Sequence, residues 1–121
     1  MKPRIADSRT DDTFPPPPVE GSELLVPITS WTEMFFETEI TNVEFDEFWD
    51  NRVEEGVAYF FCWMGEPRTT VLVVWNDDRP THIECRKIGG ALATDKESEP
   101  IQAEIIMLFR DAGFWPNDLT H

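Results

Sequence analysis

The residues of this chain that could form a nucleophilic site are His82, Glu84 and Cys85, which lie within four positions of one another. A cysteine nucleophile needs a base within hydrogen-bonding distance. On a β-strand, however, alternate residues point to opposite sides, so His82 and Glu84 would share one face while Cys85 points to the other. The spacing therefore predicts an exposed histidine and a packed cysteine, and we expect no catalytic residues and no enzymatic activity.

A second group that could do chemistry is a set of carboxylates, Glu47, Asp50 and Glu54, which would share one face of a helix. Such a face could bind a hard cation, but a calcium loop needs alternating oxygen ligands around a glycine, and this segment does not have that pattern. A transition metal would favour a histidine, and none is nearby in the sequence. The sequence therefore predicts no metal site and no cofactor.

The net charge is strongly negative and is concentrated in one segment. The 121 residues contain 24 acidic and 10 basic side chains, which give a formal net charge of −14. Residues 23–55 contain ten of the acids and a single base, Arg52. This charge disfavours nucleic acid as a direct ligand and an anionic membrane as a docking surface, because both are bound through Lys and Arg. It favours a basic protein as the partner.

The predicted partner-binding surface combines acidic side chains with two tryptophans. The acids come from the strand and the helix that we predict for the acidic segment: Glu37, Glu39, Glu44, Glu47, Asp50 and Glu54. Trp31 and Trp115 lie near the ends of predicted elements, and tryptophan is enriched at the hot spots of protein interfaces. We therefore predict that these two side chains anchor the same contact.

Two functional hypotheses follow from the composition. Small nuclease inhibitors, toxin-immunity proteins and phage anti-defence proteins share this size and charge, so we predict a non-catalytic protein that binds and inhibits a basic partner. Its carboxylates could mimic DNA and block a nucleic-acid-binding protein, although the acidic segment is small for a mimic of a duplex. The alternative is a structural subunit of an oligomeric or virion assembly.

The sequence also predicts a cytoplasmic location with reduced thiols. Two cysteines, Cys62 and Cys85, are too few for a disulfide framework. The first residues have no apolar run behind their basic side chains, as a secretory signal would. The longest apolar run, at residues 57–64, is too short to span a membrane.

Residues 1–22 are predicted to form an extended Pro-rich arm, and residues 23–121 a single domain. The four consecutive prolines, residues 15–18, favour a polyproline II conformation. Pro15 and Pro18 have the spacing of a ligand for a proline-binding domain. Because no basic residue flanks them, we favour a spacer, or an arm that lies on the domain or on a neighbouring subunit.

The domain is predicted to be an α+β fold with an antiparallel sheet of four or five strands. A short strand at 24–26 precedes residues 32–40, where the alternation of polar and apolar residues predicts a strand with one buried face, which includes Phe36 and Ile40, and one acidic face. A capping box formed by Ser30 and Glu33 would favour a helix there instead. Three more strands, joined by short turns, are expected to form a meander at residues 57–64, 69–75 and 81–88.

Two helices are predicted, and we expect both to pack mainly on one face of the sheet. The first begins at a cap formed by Thr41 or Asn42 and ends at Gly56. The second extends from about Glu99 to Ala112. The other apolar face of the sheet would then be free, and the alternative of a homo-oligomer depends on that face.

Overall fold

The fold is described here from a computed structural model, which describes residues 12–45, 48–76 and 79–114, without the side chains of Phe48, Trp49 and Arg79. Seven elements lie within these ranges: β1 Leu25–Ile28, α1 Trp31–Thr41, α2 Phe48–Glu54, β2 Ala58–Trp63, β3 Thr69–Asn76, β4 Arg79–Lys87 and α3 Asp95–Asp111. The predicted α+β fold with an antiparallel sheet is therefore confirmed. The described part of the chain has three helices, where the sequence predicted two.

The four strands form one antiparallel sheet in the order β1-β2-β3-β4. The predicted meander of β2, β3 and β4 is confirmed, and β1 is added on the free side of β2. Within this register Cys62 of β2 lies directly opposite Thr70 of β3. That pair of residues lies beneath the site described below.

The predicted strand at residues 32–40 is wrong, because this segment is the helix α1. Ser30 has an extended backbone, and its hydroxyl accepts a hydrogen bond from the Glu33 amide at 3.0 Å, as an N-cap residue does. The buried side chains of the helix recur at intervals of three and four residues: Trp31, Met34, Glu37 and Thr41. The alternation misled because Phe36 and Ile40, on the face predicted to be buried, are exposed.

The second helix, α2, is shorter than predicted, since it begins at Phe48 and not at Thr41 or Asn42. Asn42 instead ends α1. Its φ of 56° lies in the left-handed region, and its amide donates to the Thr38 carbonyl at 2.8 Å. This is a C-cap conformation that asparagine tolerates better than most residues. Thr41 and Asn42, which were predicted to cap the start of a helix, therefore lie at the end of one.

The last helix, α3, begins four residues earlier than the predicted Glu99. Thr94 and Glu97 form a reciprocal capping box, in which the Thr94 hydroxyl accepts from the Glu97 amide at 3.1 Å. The Glu97 carboxylate in turn accepts from the Thr94 amide at 2.9 Å. This start places Pro100 inside the helix. The predicted C-terminal end is correct to within one residue.

Helices lie on both faces of the sheet, so the prediction that they pack mainly on one face is wrong. One buried cluster joins α3 to the sheet, and a second joins α1 and α2 to the opposite face. In β2, Phe61 belongs to the first cluster and Phe60 to the second, and in β3 Val73 and Leu72 divide in the same way. Both strands have apolar residues on both faces, because each face of the sheet is covered.

Part of the predicted arm, residues 12–22, packs against the domain. Phe14 is buried in the cluster under α1, and Val19 is buried in the cluster under α3. The Phe14 amide donates to the Thr29 carbonyl at 2.8 Å, and the Phe14 ring lies edge-on to Trp31 with centroids 4.9 Å apart. The intervening prolines therefore connect two anchors that lie in different clusters. Residues 1–11 of the arm lie outside the described residues.

Candidate functional site

The predicted partner-binding residues do not all lie on one surface. Glu39 and Glu44 are exposed, and Glu54 is partly exposed. Glu37 and Asp50 are each only 5% exposed, so their predicted place on an exposed acidic face is wrong. Trp31 is 3% exposed and belongs to the core, which corrects its predicted place in an interface. Glu47 and Trp115 lie outside the described residues.

Glu37 is the centre of a buried polar cluster that ties α1 to the sheet. Its carboxylate accepts two hydrogen bonds from the guanidinium of Arg68, to Oε1 at 2.7 Å and to Oε2 at 2.9 Å. The Thr70 hydroxyl also donates to Oε2, and the Cys62 thiol lies 3.3 Å from Oε1. Two-point binding of this kind is the strongest geometry of an Arg–carboxylate pair. The cluster therefore fixes the position of α1 on the sheet.

The cluster sets the ionisation of its members. Burial alone would raise the pKa of the Glu37 carboxyl, but hydrogen bonds from Arg68 and Thr70 and the charge of Arg68 outweigh it, so this pKa lies below its usual value. The hydrogen bond to Glu37 raises the pKa of Arg68. Burial and the nearby Glu37 charge raise the pKa of the Cys62 thiol to about 12. Near neutral pH the cluster is therefore an ion pair beside a neutral thiol.

We expect the stability that this cluster contributes to be lost in acid. The pKa of Glu37 is lower in the folded chain than its ordinary value of 4.5, so its contribution is present above that value. The contribution is lost as the pH falls through the lower, folded pKa. Thermal melting followed by circular dichroism from about pH 6 to about pH 3 will measure the loss.

The variant Glu37→Gln is the control for this pH dependence, since glutamine has a similar shape and does not titrate. The melting temperature of the wild type should lie above that of the variant near neutral pH, and the difference should shrink as the pH falls. Glu97, whose pKa is lowered by a hydrogen bond from the Thr94 backbone, contributes to both proteins. Parallel curves for the two proteins would contradict the assignment to Glu37.

The predicted placement of His82, Glu84 and Cys85 is confirmed in its geometry. Cys85 is buried in the cluster under α3, and burial, with the charge of Glu84, raises the pKa of its thiol to about 11. His82 Nε2 lies 3.7 Å from the Glu84 carboxylate, while Arg86 binds the same carboxylate at 2.6 Å. An open groove of about 320 Å³ lies beside these residues. Among its charged residues, Glu84 and Arg86 pair with each other, and Asp95 is exposed.

Three basic side chains are held in ion pairs within the fold. Arg68 binds Glu37, Arg86 binds Glu84 and Lys87 binds Glu97, with closest distances of 2.7, 2.6 and 3.0 Å. The α1 segment contains no Lys or Arg at all. The exposed charged side chains of α1 and of residues 42–45 are therefore all carboxylates.

Sequence reasoning missed two exposed apolar side chains on α1. Phe36 is 57% exposed and Ile40 is 72% exposed, and they are separated by one helical turn. The capping box at Ser30 and Glu33 was the signal that could have revealed them. Taken as a helix start, it places Trp31, Met34 and Glu37 on the buried side and leaves these two residues outside.

Among the residues that the structure describes, no group of three His, Cys, Asp or Glu side chains is arranged to hold a metal ion. Within the same residues, no helix is long and apolar enough to cross a membrane. Comparison of the chain with models of protein families, with curated proteins and with solved structures found no match.

Proposed function

We propose that this protein binds a basic partner protein through the outer surface of α1 and the residues that follow it, and thereby inhibits that partner. The supporting observation is the exposure of Glu39 and Glu44 on a segment whose helix has no basic residue. The nearby Arg68 is already neutralised by Glu37. Carboxylates in this setting attract Lys and Arg of a partner and speed its association. The −14 net charge acts in the same direction over longer distances.

We retain inhibition of a partner as the proposed function and do not propose a role as a structural subunit of an assembly. A structural subunit was suggested by an apolar sheet face that two helices would leave uncovered. Both faces are covered, by α3 on one side and by α1 and α2 on the other. No observation on the described residues now favours assembly over binding of a different protein, so we do not carry assembly forward as a second function.

The test is the affinity of a purified partner for a charge-reversal variant. The partner is first captured from the native host at low salt, identified by mass spectrometry and purified. Glu39→Lys combined with Glu44→Lys should weaken its binding about tenfold, or ~1.4 kcal/mol, as measured by calorimetry. Wild-type binding should also weaken as salt rises from about 50 to about 300 mM, because salt screens exposed charges.

The matched control places the same change of charge on the opposite face of the sheet. Glu99 and Asp111 are exposed on α3, and Glu99→Lys with Asp111→Lys alters the net charge by the same amount. The affinity of this control variant for the partner should lie within about twofold of the wild-type affinity, since its substitutions lie on the opposite face from α1. Equal losses for the two double variants would contradict a local surface. Binding indifferent to salt would contradict the proposed function as a whole.

A further inference from the structure

The outer face of α1 exposes an apolar pair at its centre. Phe36 and Ile40 lie one turn apart, and the ring of the half-buried Phe35 packs edge-on against Phe36 with centroids 5.8 Å apart. Isolated apolar side chains are common on protein surfaces. Two large ones on neighbouring turns of one helix form a continuous apolar ridge, which is the usual form of a contact anchor.

A third apolar side chain is brought to the same end of α1 by the turn after β4. The Gly89 amide donates to the carbonyl of Thr41, the last residue of α1, at 2.7 Å. Ile88, immediately before this glycine, is 59% exposed. The backbone next to this second exposed isoleucine therefore lies at the C-terminal end of α1.

Acidic side chains surround this ridge. Glu33 and Glu39 are exposed on α1, and Glu44 is exposed just beyond it. The Glu33 carboxylate accepts hydrogen bonds from the amide and the hydroxyl of Thr29. The face therefore has an apolar centre and a negative rim, the arrangement that protein interfaces favour.

We propose that this face of α1 is the docking site for a cationic amphipathic segment of the partner, with Phe36 and Ile40 as its apolar anchors. This inference rests on the proposed function and deepens it by naming the chemistry of the bound segment. Lys and Arg of the segment would face the acidic rim, and its apolar side chains would cover the ridge. The apolar anchors supply the affinity, and the charges supply association rate and orientation.

Charge complementarity selects this occupant over the others. Nucleic acids and anionic lipids carry the same sign of charge as the rim and are repelled by it. In a symmetric contact between two copies, the same patch meets itself, so the acidic rims of two chains of net charge −14 would face each other. A basic segment is the occupant that satisfies both the ridge and the rim.

The test uses a synthetic probe in place of the unidentified partner. The probe is a fluorescein-labelled Lys/Leu peptide of about 18 residues whose leucines follow helical spacing, and a peptide of the same composition in scrambled order is its control. Binding to the full-length chain is followed by fluorescence anisotropy. Phe36→Ser combined with Ile40→Ser should weaken binding of the patterned peptide at least tenfold. Binding of the scrambled peptide should change less than twofold.

Serine is chosen because its helix propensity is close to those of phenylalanine and isoleucine, so α1 should persist. The matched control is Met107→Ser, which removes an exposed apolar side chain from α3 on the opposite face and should leave binding unchanged. Equal effects of the Met107 variant and the double serine variant would overturn the docking site. So would loss of a dimer in the double serine variant by light scattering, since the face would then belong to a second copy.

The same assay separates this inference from the proposed function. Suppose that Glu39→Lys with Glu44→Lys weakens binding of the patterned peptide, while Phe36→Ser with Ile40→Ser leaves it unchanged. The role of the apolar anchors is then contradicted, and the proposed acidic binding surface is supported. If binding is indifferent to the charge reversal and to salt, the acidic surface itself is wrong.

Discussion

Replacing Arg68 with methionine is expected to lower the free energy of unfolding by about 3 kcal/mol. The variant leaves the Glu37 carboxylate, 5% exposed, without the guanidinium that binds both of its oxygens. An unpaired buried charge costs ~3–5 kcal/mol, and the lower figure applies because the Arg68 side chain is 24% exposed and the site can admit water. Urea unfolding followed by tryptophan fluorescence will measure the difference.

Two further variants make this result specific. Arg86→Met removes the partner of Glu84, whose side chain is 18% exposed, and should cost about 1 kcal/mol or less. The double variant Glu37→Met with Arg68→Met replaces the ion pair by apolar groups and should recover most of the stability lost in Arg68→Met. A double variant no more stable than the single one would show that the loss comes from packing of Arg68 and not from the stranded charge.

Replacing Phe14 with alanine is also expected to cost about 3 kcal/mol, although this residue lies in a segment that the sequence marks as an arm. The Phe14 ring is buried against Trp31 and Phe60, with centroids 4.9 and 6.2 Å away. Its removal would leave a cavity beneath α1. A loss of this size is a large share of the ~5–15 kcal/mol that stabilises a typical domain.

Glu20→Ala serves as the control for the Phe14 variant, because Glu20 is an exposed residue of the same segment. It should change the free energy of unfolding by no more than about 0.5 kcal/mol. The two variants are compared by the same urea titration. Similar values for both would mean that residues 12–22 do not contribute to the core.

The sheet could be predicted from the sequence because its signals are local. The turns at residues 65–68 and 76–80 contain Gly, Pro, Asn and Asp, and they separate strands whose apolar residues fill both faces. Short connections require antiparallel neighbours, so the order of β2, β3 and β4 followed directly. The same locality explains the correct end of α3.

The helices were harder because two local signals competed. Over residues 32–40 the alternation of Met34, Phe36 and Ile40 with acids predicts a strand, whereas the cap at Ser30 predicts the helix that the chain forms. At the start of α3, Pro100 predicts a first turn near Glu99, whereas the capping box of Thr94 and Glu97 starts the helix at Asp95. An N-cap reports on one hydrogen bond with a fixed geometry. An alternating pattern also arises when a helix exposes apolar side chains, as α1 exposes Phe36 and Ile40.

The candidate site could be predicted only in part. The excess of acid in residues 23–55 is visible in the sequence, and the exposure of Glu39 and Glu44 agrees with it. The burial of Glu37 could not be foreseen, because its partner Arg68 lies 31 positions away and the pairing depends on how α1 crosses the sheet. Long-range pairs of this kind are properties of the folded chain.

The two free cysteines pack with different clusters, so each can report on the opening of a different layer of the fold. Cys62 packs against the cluster under α1, and Cys85 is buried in the cluster under α3. Only the thiolate reacts with alkylating reagents, and burial suppresses it at both positions. Because Cys62 is partly exposed and Cys85 is buried, opening of a layer raises the labelling rate of its own thiol above the rate in the closed fold. The relative rates at the two positions distinguish sub-global detachment of one layer from cooperative unfolding of the whole chain.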